Sequence, residues 1–150
     1  MMIASKYINK NAAAVAAIKD YNNMRFIINN TPQEIKDVYE KMASPRSPKL
    51  SGLPTARNLQ AGADKLAEQI DKLDILQERY RQAIEYMVWF EPAWSNLTDT
   101  EQRILMEFYM NGNQKSGATY RLMEEYNYSE RTVERLRSNS LNHLRSLLFG

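Results

Sequence analysis

The 150-residue chain contains no cysteine, one histidine and five glycines. The missing cysteine excludes disulfides, thiolate metal sites and a thiol nucleophile. One histidine, His143, cannot form a histidine metal cluster, and we expect it at the surface of the last helix or on a phosphate. The glycines are scattered, so there is no glycine-rich loop to hold a nucleotide phosphate. We therefore expect no catalytic residues, no metal site and no cofactor, and interpret the chain as a non-enzyme.

Long hydrophobic runs are missing as well. The longest apolar stretch in the first half, 12–18, is too short to span a bilayer, and the N-terminus lacks the pattern of a secretory signal. The expectation is a soluble, cytoplasmic protein without membrane contact. Few glycines, prolines and β-branched runs favour an all-α fold.

Charge is segregated along the chain although the net charge is only +2. Residues 1–58 carry a net charge of +5, residues 59–110 carry −5, and residues 111–150 carry +2. An acidic segment between two basic ones indicates internal pairing, self-association, or a basic end that faces a polyanion. Ordinary solvated helix faces would give the same numbers.

The N-terminal helical segment is predicted over residues 1–43. A first helix is expected from Ile3 to Asn29. A second should start at Thr31, where an N-cap, a proline at the first helical position and Glu34 form a start signal. Its apolar face comprises Ile35, Val38, Tyr39 and Met42. Residues 44–58, rich in proline, serine and basic side chains, are predicted to be a linker or a nucleic-acid-contacting arm.

A long helix is predicted over residues 59–91, ending before Pro92. Its apolar residues recur at 3-4 spacing, with one polar break at Gln77: Leu59, Ala63, Leu66, Ile70, Leu73, Tyr80, Ile84 and Met87. The partner of this heptad pattern is either the N-terminal helix or the same helix of a second chain, a homodimer through residues 59–90. Trp89, Phe90 and Trp94 then form either a core cluster or a base-stacking platform, of which we favour the core.

Residues 95–150 are predicted to form three helices arranged as a helix-turn-helix domain. Thr98 should cap the first helix, and Asn127 should take a left-handed turn before Ser129 caps the last. The first two helices should bury Ile104, Leu105, Phe108 and Tyr109, and Ala118, Leu122, Met123 and Tyr126. The last should bury Val133, Leu136, Ser140, Leu144 and Leu147.

The outward side of the last helix supplies the candidate DNA-binding residues. Arg131, Arg135 and Ser138 face out near its start, with Glu130 and Glu134 beside them and Arg137 on the shoulder. The start of a recognition helix meets base edges, and arginine suits guanine or phosphate. Lys115 and Arg121 lie where the preceding helix would meet the DNA backbone. An ordinary three-helix core without DNA binding is the competing interpretation.

Several motifs in this region resemble known transcription proteins. The spacing Leu97-Thr98-x-x-Glu101-x-x-Ile104-Leu105, followed by Ser129-x-x-Thr132-Val133, resembles region 4 of sigma-70-type factors. More closely, the segment 80–94 (YRQAIEYMVWFEPAW) and the tail 144–150 are similar to the ArpU-like sigma-related regulators of phages and prophages. The resemblance covers about residues 59–150.

The resemblance implies a helix-turn-helix that recognises promoter DNA and touches host RNA polymerase, in late-gene transcription of phages. We therefore expect a phage-type transcription regulator that binds double-stranded DNA, in the host cytoplasm if it is phage-encoded. The alternative is a protein-binding adaptor or inhibitor that engages a host protein through the acidic long helix.

Overall fold

The computed structural model describes residues 9–43, 56–111 and 115–150, with the backbone alone for residues 56–59, 115 and 116. Five α-helices run through these residues, which contain no β-strand, so the all-α prediction is confirmed. They are α1 (Lys10–Ala43), α2 (Ala56–Ser95), α3 (Asp99–Leu105), α4 (Lys115–Tyr126) and α5 (Glu130–Phe149). Within the described ranges, no helix has the length and hydropathy of a membrane-spanning segment.

The chain divides into two compact units. The terminal unit joins the described residues up to Met24 to Tyr86–Gly150, and the central unit is Arg25–Glu85. In the central unit Val38 of α1 packs with Leu73 and Leu76 of α2, with Ile35 and Met42 at the edge of the cluster. The apolar face predicted for residues 35–42 is thus confirmed at these three α1 positions, whereas Tyr39, which was predicted on the same face, is exposed.

The helix break predicted at Thr31 is wrong, because α1 continues through Pro32. Pro32 has no N–H to donate within the helix, at a cost of about 3 kcal/mol. Thr31 is fully buried and lies within the helix, so it cannot be an N-cap, which requires a non-helical backbone. Each apolar side chain that α1 buries beyond Pro32 contributes about 1.5–3 kcal/mol. This packing outweighs the local start signal.

The long helix extends past both of its predicted ends. It begins at Ala56, so the last three positions of the predicted linker are helical, whereas residues 44–55 lie outside the described part. It continues through Pro92 to Ser95, because Ala93 and Trp94 are buried in the core. The Asn96 side-chain amide donates to the Pro92 carbonyl at 2.8 Å and closes the last turn.

The burial pattern of α2 differs from the predicted heptad register. Leu73 is buried as expected, but the next buried positions are Leu76 and Ala83, whereas Ile70 and Ile84 are exposed. The helix therefore buries the residue three positions after Leu73, which puts a leucine on the inner face in place of the polar Gln77. Ile70 and Ile84, which were predicted to pack against a partner helix, are therefore exposed to solvent.

The aromatic residues at the end of α2 form a core cluster, as favoured from the sequence. The Phe90 ring is fully buried and stacks on Tyr86 and Trp94, with ring centroids 5.2 and 5.7 Å apart. Trp89 is the exception, since it is exposed. The centroid of its ring lies 5.6 Å from that of Phe149 in α5. Two of the three rings of the suggested stacking platform are thus inside the protein.

The predicted Thr98 cap is confirmed as a complete capping box. The Thr98 hydroxyl accepts from the Glu101 amide at 3.2 Å, and the Glu101 carboxylate accepts from the Thr98 amide at 3.0 Å. The helix then widens into a π-helical turn, Met106–Met110, which the sequence did not predict.

Candidate nucleic-acid interface

A three-residue turn joins α4 to α5 and fixes the direction of α5. Asn127 has φ of 56°, so the predicted left-handed conformation is confirmed. The Ser129 hydroxyl accepts a hydrogen bond from the Thr132 amide at 3.2 Å, which confirms the predicted N-cap.

The inner face of α5 packs in two clusters of the terminal unit. Val133 lies with Leu122 of α4 and with Ile104, Phe108 and Ala118, and Leu144 lies in the cluster around Phe90. Ser140 is also buried and donates to the Leu136 carbonyl at 2.6 Å. Leu147 was predicted to be inward but is exposed, because Leu148 takes the place beside the cluster.

Three of the predicted DNA contacts lie on the outer side of α5. Arg131, Arg135 and Ser138 are exposed, and their side chains have no hydrogen-bond or ion-pair partner in the described part of the chain. At 100° per residue, the three positions fall within an arc of about 60°. Two guanidinium groups and a hydroxyl therefore face solvent together and are available to an external ligand.

Arg137 occupies a different environment from these three residues. Its Nη2 atom is 2.7 Å from Glu134 Oε2, and its guanidinium carbon lies 5.1 Å from the centre of the Phe108 ring. Only 21% of the side chain is exposed. The carboxylate and the ring hold the guanidinium against the protein, where it stabilises the contact between α5 and the π turn.

Arg121 is half exposed but paired with a buried carboxylate. Its Nε atom is 2.6 Å from Glu107 Oε1, and the Glu107 side chain is only 4% exposed. Arg103 reaches the other oxygen of Glu107 at 2.7 Å and also contacts Glu125 of α4 at 3.0 Å. Sequence reasoning missed this network. The 103/107 spacing on one helix was its one visible signal.

The network determines the charge state of Glu107. Burial alone would raise the pKa of this carboxyl, but hydrogen bonds from Arg103 and Asn111 and the charges of Arg103 and Arg121 outweigh burial. The pKa of Glu107 is therefore lowered, and the buried group is an anion at neutral pH. Arg121 and Arg103 serve as its counter-charges.

Lys115 and His143 are the remaining candidate phosphate contacts. Lys115 is the first residue of α4, and its side chain lies outside the described part of the chain. His143 is at the surface, as expected, where its Nδ1 atom is 2.9 Å from Glu101 Oε2. The Glu101 carboxylate thus links the start of α3 to α5.

A groove of about 420 Å³ lies in the central unit, lined by Glu34, Asp37, Val38, Glu40, Lys41 and Lys72. Three carboxylates and two lysines line it, so its charges largely cancel. Throughout the described ranges there is no group of three or more metal-ligating side chains placed to hold an ion.

Compared with protein-family models, curated proteins and solved structures, the chain matches none.

Proposed function

We propose that the protein is a DNA-binding transcription regulator of the ArpU-like phage type, in which α4 and α5 act as a sigma-like helix-turn-helix. The observation that carries the proposal is the outer face of α5, where Arg131, Arg135 and Ser138 are exposed and uncommitted. Double-stranded DNA supplies what these groups lack, since phosphates and guanine edges accept hydrogen bonds from arginine.

The local structure supports this use of α5. The Ser129 cap and the left-handed Asn127 fix where the helix begins, and the cluster around Val133 holds its inner face. A recognition helix needs this rigidity because base edges are read by side chains at fixed positions.

The test is DNA binding by the wild-type protein and by the double variant Arg131→Ala with Arg135→Ala. Fluorescence anisotropy over a salt series would measure affinity on a binding site selected from random duplexes. We expect the variant to bind at least about tenfold more weakly. The slope of log affinity against log salt should fall by about one for each phosphate that the variant no longer neutralises.

Arg79→Ala is the matched control, because Arg79 is an exposed arginine of α2 in the central unit. It should leave both affinity and salt slope unchanged. Equal affinity and equal slope for the wild type and the double variant would show that the two arginines do not contact DNA.

In this proposal host RNA polymerase is the second partner. Residues 111–150 carry a net charge of only +2, and Arg121 and Arg137 are paired with carboxylates of the protein itself. Few cations thus remain to hold DNA. A polymerase that is bound at the same promoter would supply the remaining binding energy.

The rival function is a protein-binding adaptor that uses α2. Its support is the exposed side of that helix, where Leu66, Ile70 and Ile84 lie near the acidic residues Asp74 and Glu78. Nuclease-treated host extract passed over the immobilised protein separates the two functions. Polymerase retained without DNA, together with no binding of the purified protein to selected duplexes, favours the adaptor.

A further inference from the structure

The second half of α5 is free of acidic residues, since no aspartate or glutamate occurs from Arg135 to Gly150. Several of its polar side chains are nevertheless committed within the protein. The Ser146 hydroxyl donates to the Asn142 carbonyl at 3.0 Å, His143 is bound to Glu101, and Ser140 is buried. These residues are not available to a ligand as Arg131 and Arg135 are.

The Asn142 side chain, in contrast, is exposed and has no hydrogen-bond partner in the described part of the chain. It follows Arg131, Arg135 and Ser138 at spacings of four, three and four residues, so all four positions lie on one side of the helix. At 1.5 Å per residue the strip from Arg131 to Asn142 is about 16 Å long. Its first half is cationic and its far end is an uncharged amide.

A carboxamide at this end suits a base edge better than a phosphate. It carries both a donor and an acceptor, which match the N7 acceptor and the N6 donor of adenine in the major groove. A strip about 16 Å long also covers about five base pairs at 3.4 Å each. A helix that entered the groove only by its first turn would leave Asn142 away from the bases.

We propose that α5 lies lengthwise in the major groove and that Asn142 reads an adenine about five base pairs from the contact of Arg131. The inference rests on the proposed function and adds a specificity residue at the far end of the helix. Because Asn142 is uncharged, it contributes to base preference and leaves the release of counterions unchanged.

The experiment is a binding-site selection from random duplexes with wild-type protein, Asn142→Ala and Arg131→Ala. We expect Asn142→Ala to lose the preference for adenine at one position, about five base pairs from the position that Arg131→Ala alters. Affinity for the wild-type site should fall about tenfold with an unchanged salt slope. Asn23→Ala, at an exposed asparagine of α1, is the control and should bind like the wild type.

The outcomes separate the two proposals. If Arg131→Ala with Arg135→Ala weakens binding but Asn142→Ala keeps the wild-type affinity and base preference, α5 binds DNA without Asn142 and this inference is wrong. A uniform loss of affinity on every sequence would also contradict it. No DNA binding by the wild type would overturn both the inference and the proposed function. Helical circular dichroism confirms in each case that the variant is folded.

Discussion

Glu107 is the buried charge with the most partners in the described part of the terminal unit. Arg103, Arg121 and Asn111 all donate to its carboxylate, at 2.7, 2.6 and 3.2 Å. Hydrogen bonds to a charged group stabilise a fold by about 1.5–3 kcal/mol, and losing one partner of a buried pair also costs desolvation of the other. Here the two arginines are partly exposed, so solvent can replace part of the loss.

We expect Glu107→Gln to lower the free energy of unfolding by about 2 kcal/mol, because the amide keeps the shape but not the charge. Urea denaturation followed by circular dichroism measures the change. Glu124→Gln is the control, since Glu124 is an exposed residue of the neighbouring helix α4. An equal, small effect of both substitutions would mean that the network contributes nothing beyond an ordinary surface charge.

Acid should destabilise the protein by protonating Glu101 and Glu107, which are charged in the folded state. The pKa of Glu101 is lowered: burial would raise it, but the hydrogen bonds from the Thr98 amide and His143 outweigh burial. The pKa of Glu107 is lowered as well. The folded state therefore binds fewer protons than the unfolded state in mildly acidic solution, and unfolding becomes easier as the pH falls through the folded-state pKa values.

Urea midpoints between pH 7 and pH 3 measure this dependence. The wild type should lose stability as the pH falls below the pKa of an ordinary carboxyl group. Glu107→Gln should lose less, because it lacks one of the two carboxyl groups whose protonation is linked to unfolding. A wild type and a variant with parallel pH profiles would show that Glu107 is not linked to folding.

The sequence correctly predicted the helix boundaries that are set by capping residues. It did not predict the boundaries that are set by packing against other parts of the chain. The Thr98 and Ser129 caps and the left-handed Asn127 follow from hydrogen bonds within a few residues, so the sequence contains them. Pro32 and Pro92 indicated helix ends by equally good local rules. At both prolines the helix continues because its later residues are buried against residues that are distant in the sequence. Local sequence rules do not contain such contacts.

The register of α2 shows the same limit. From Leu73, the buried face of α2 could continue along one line of residues through Leu76 or along another line through Gln77. The apolar pattern is compatible with either line. Only the position of α1, with Val38 against Leu73 and Leu76, selects the first line. For the candidate site the sequence predicted the exposed strip of α5 but not the carboxylates that engage Arg121 and Arg137, since those pairs depend on tertiary contacts.

The other line of α2, which runs through Gln77, is exposed and is relevant to the oligomeric state of the protein. Leu66, Ile70 and Ile84 are 46, 44 and 37% exposed and lie on one side of the helix, with Gln77 among them. Apolar residues at heptad spacing around one polar position are typical of a helix that pairs with a copy of itself in one register. The predicted homodimer would use this line.

We expect the wild-type protein to be dimeric at micromolar concentration and Ile70→Glu with Ile84→Glu to be monomeric, as measured by sedimentation equilibrium. Ile75→Glu is the control, because Ile75 is also exposed but lies on the opposite side of α2. A wild type that sediments as a monomer contradicts the dimer. Equal dissociation by Ile75→Glu would place the contact elsewhere.

The two tryptophans of the chain are in different environments five residues apart on α2. Trp94 is buried in the core, whereas Trp89 is exposed and its ring lies 5.6 Å from that of Phe149 in the last turn of α5. Replacing either tryptophan with phenylalanine leaves a protein with a single tryptophan, whose emission can be excited selectively over that of the nine tyrosines. Emission from Trp94 then follows melting of the core, and emission from Trp89 follows displacement of the end of α5, so the two processes can be timed separately without an attached dye.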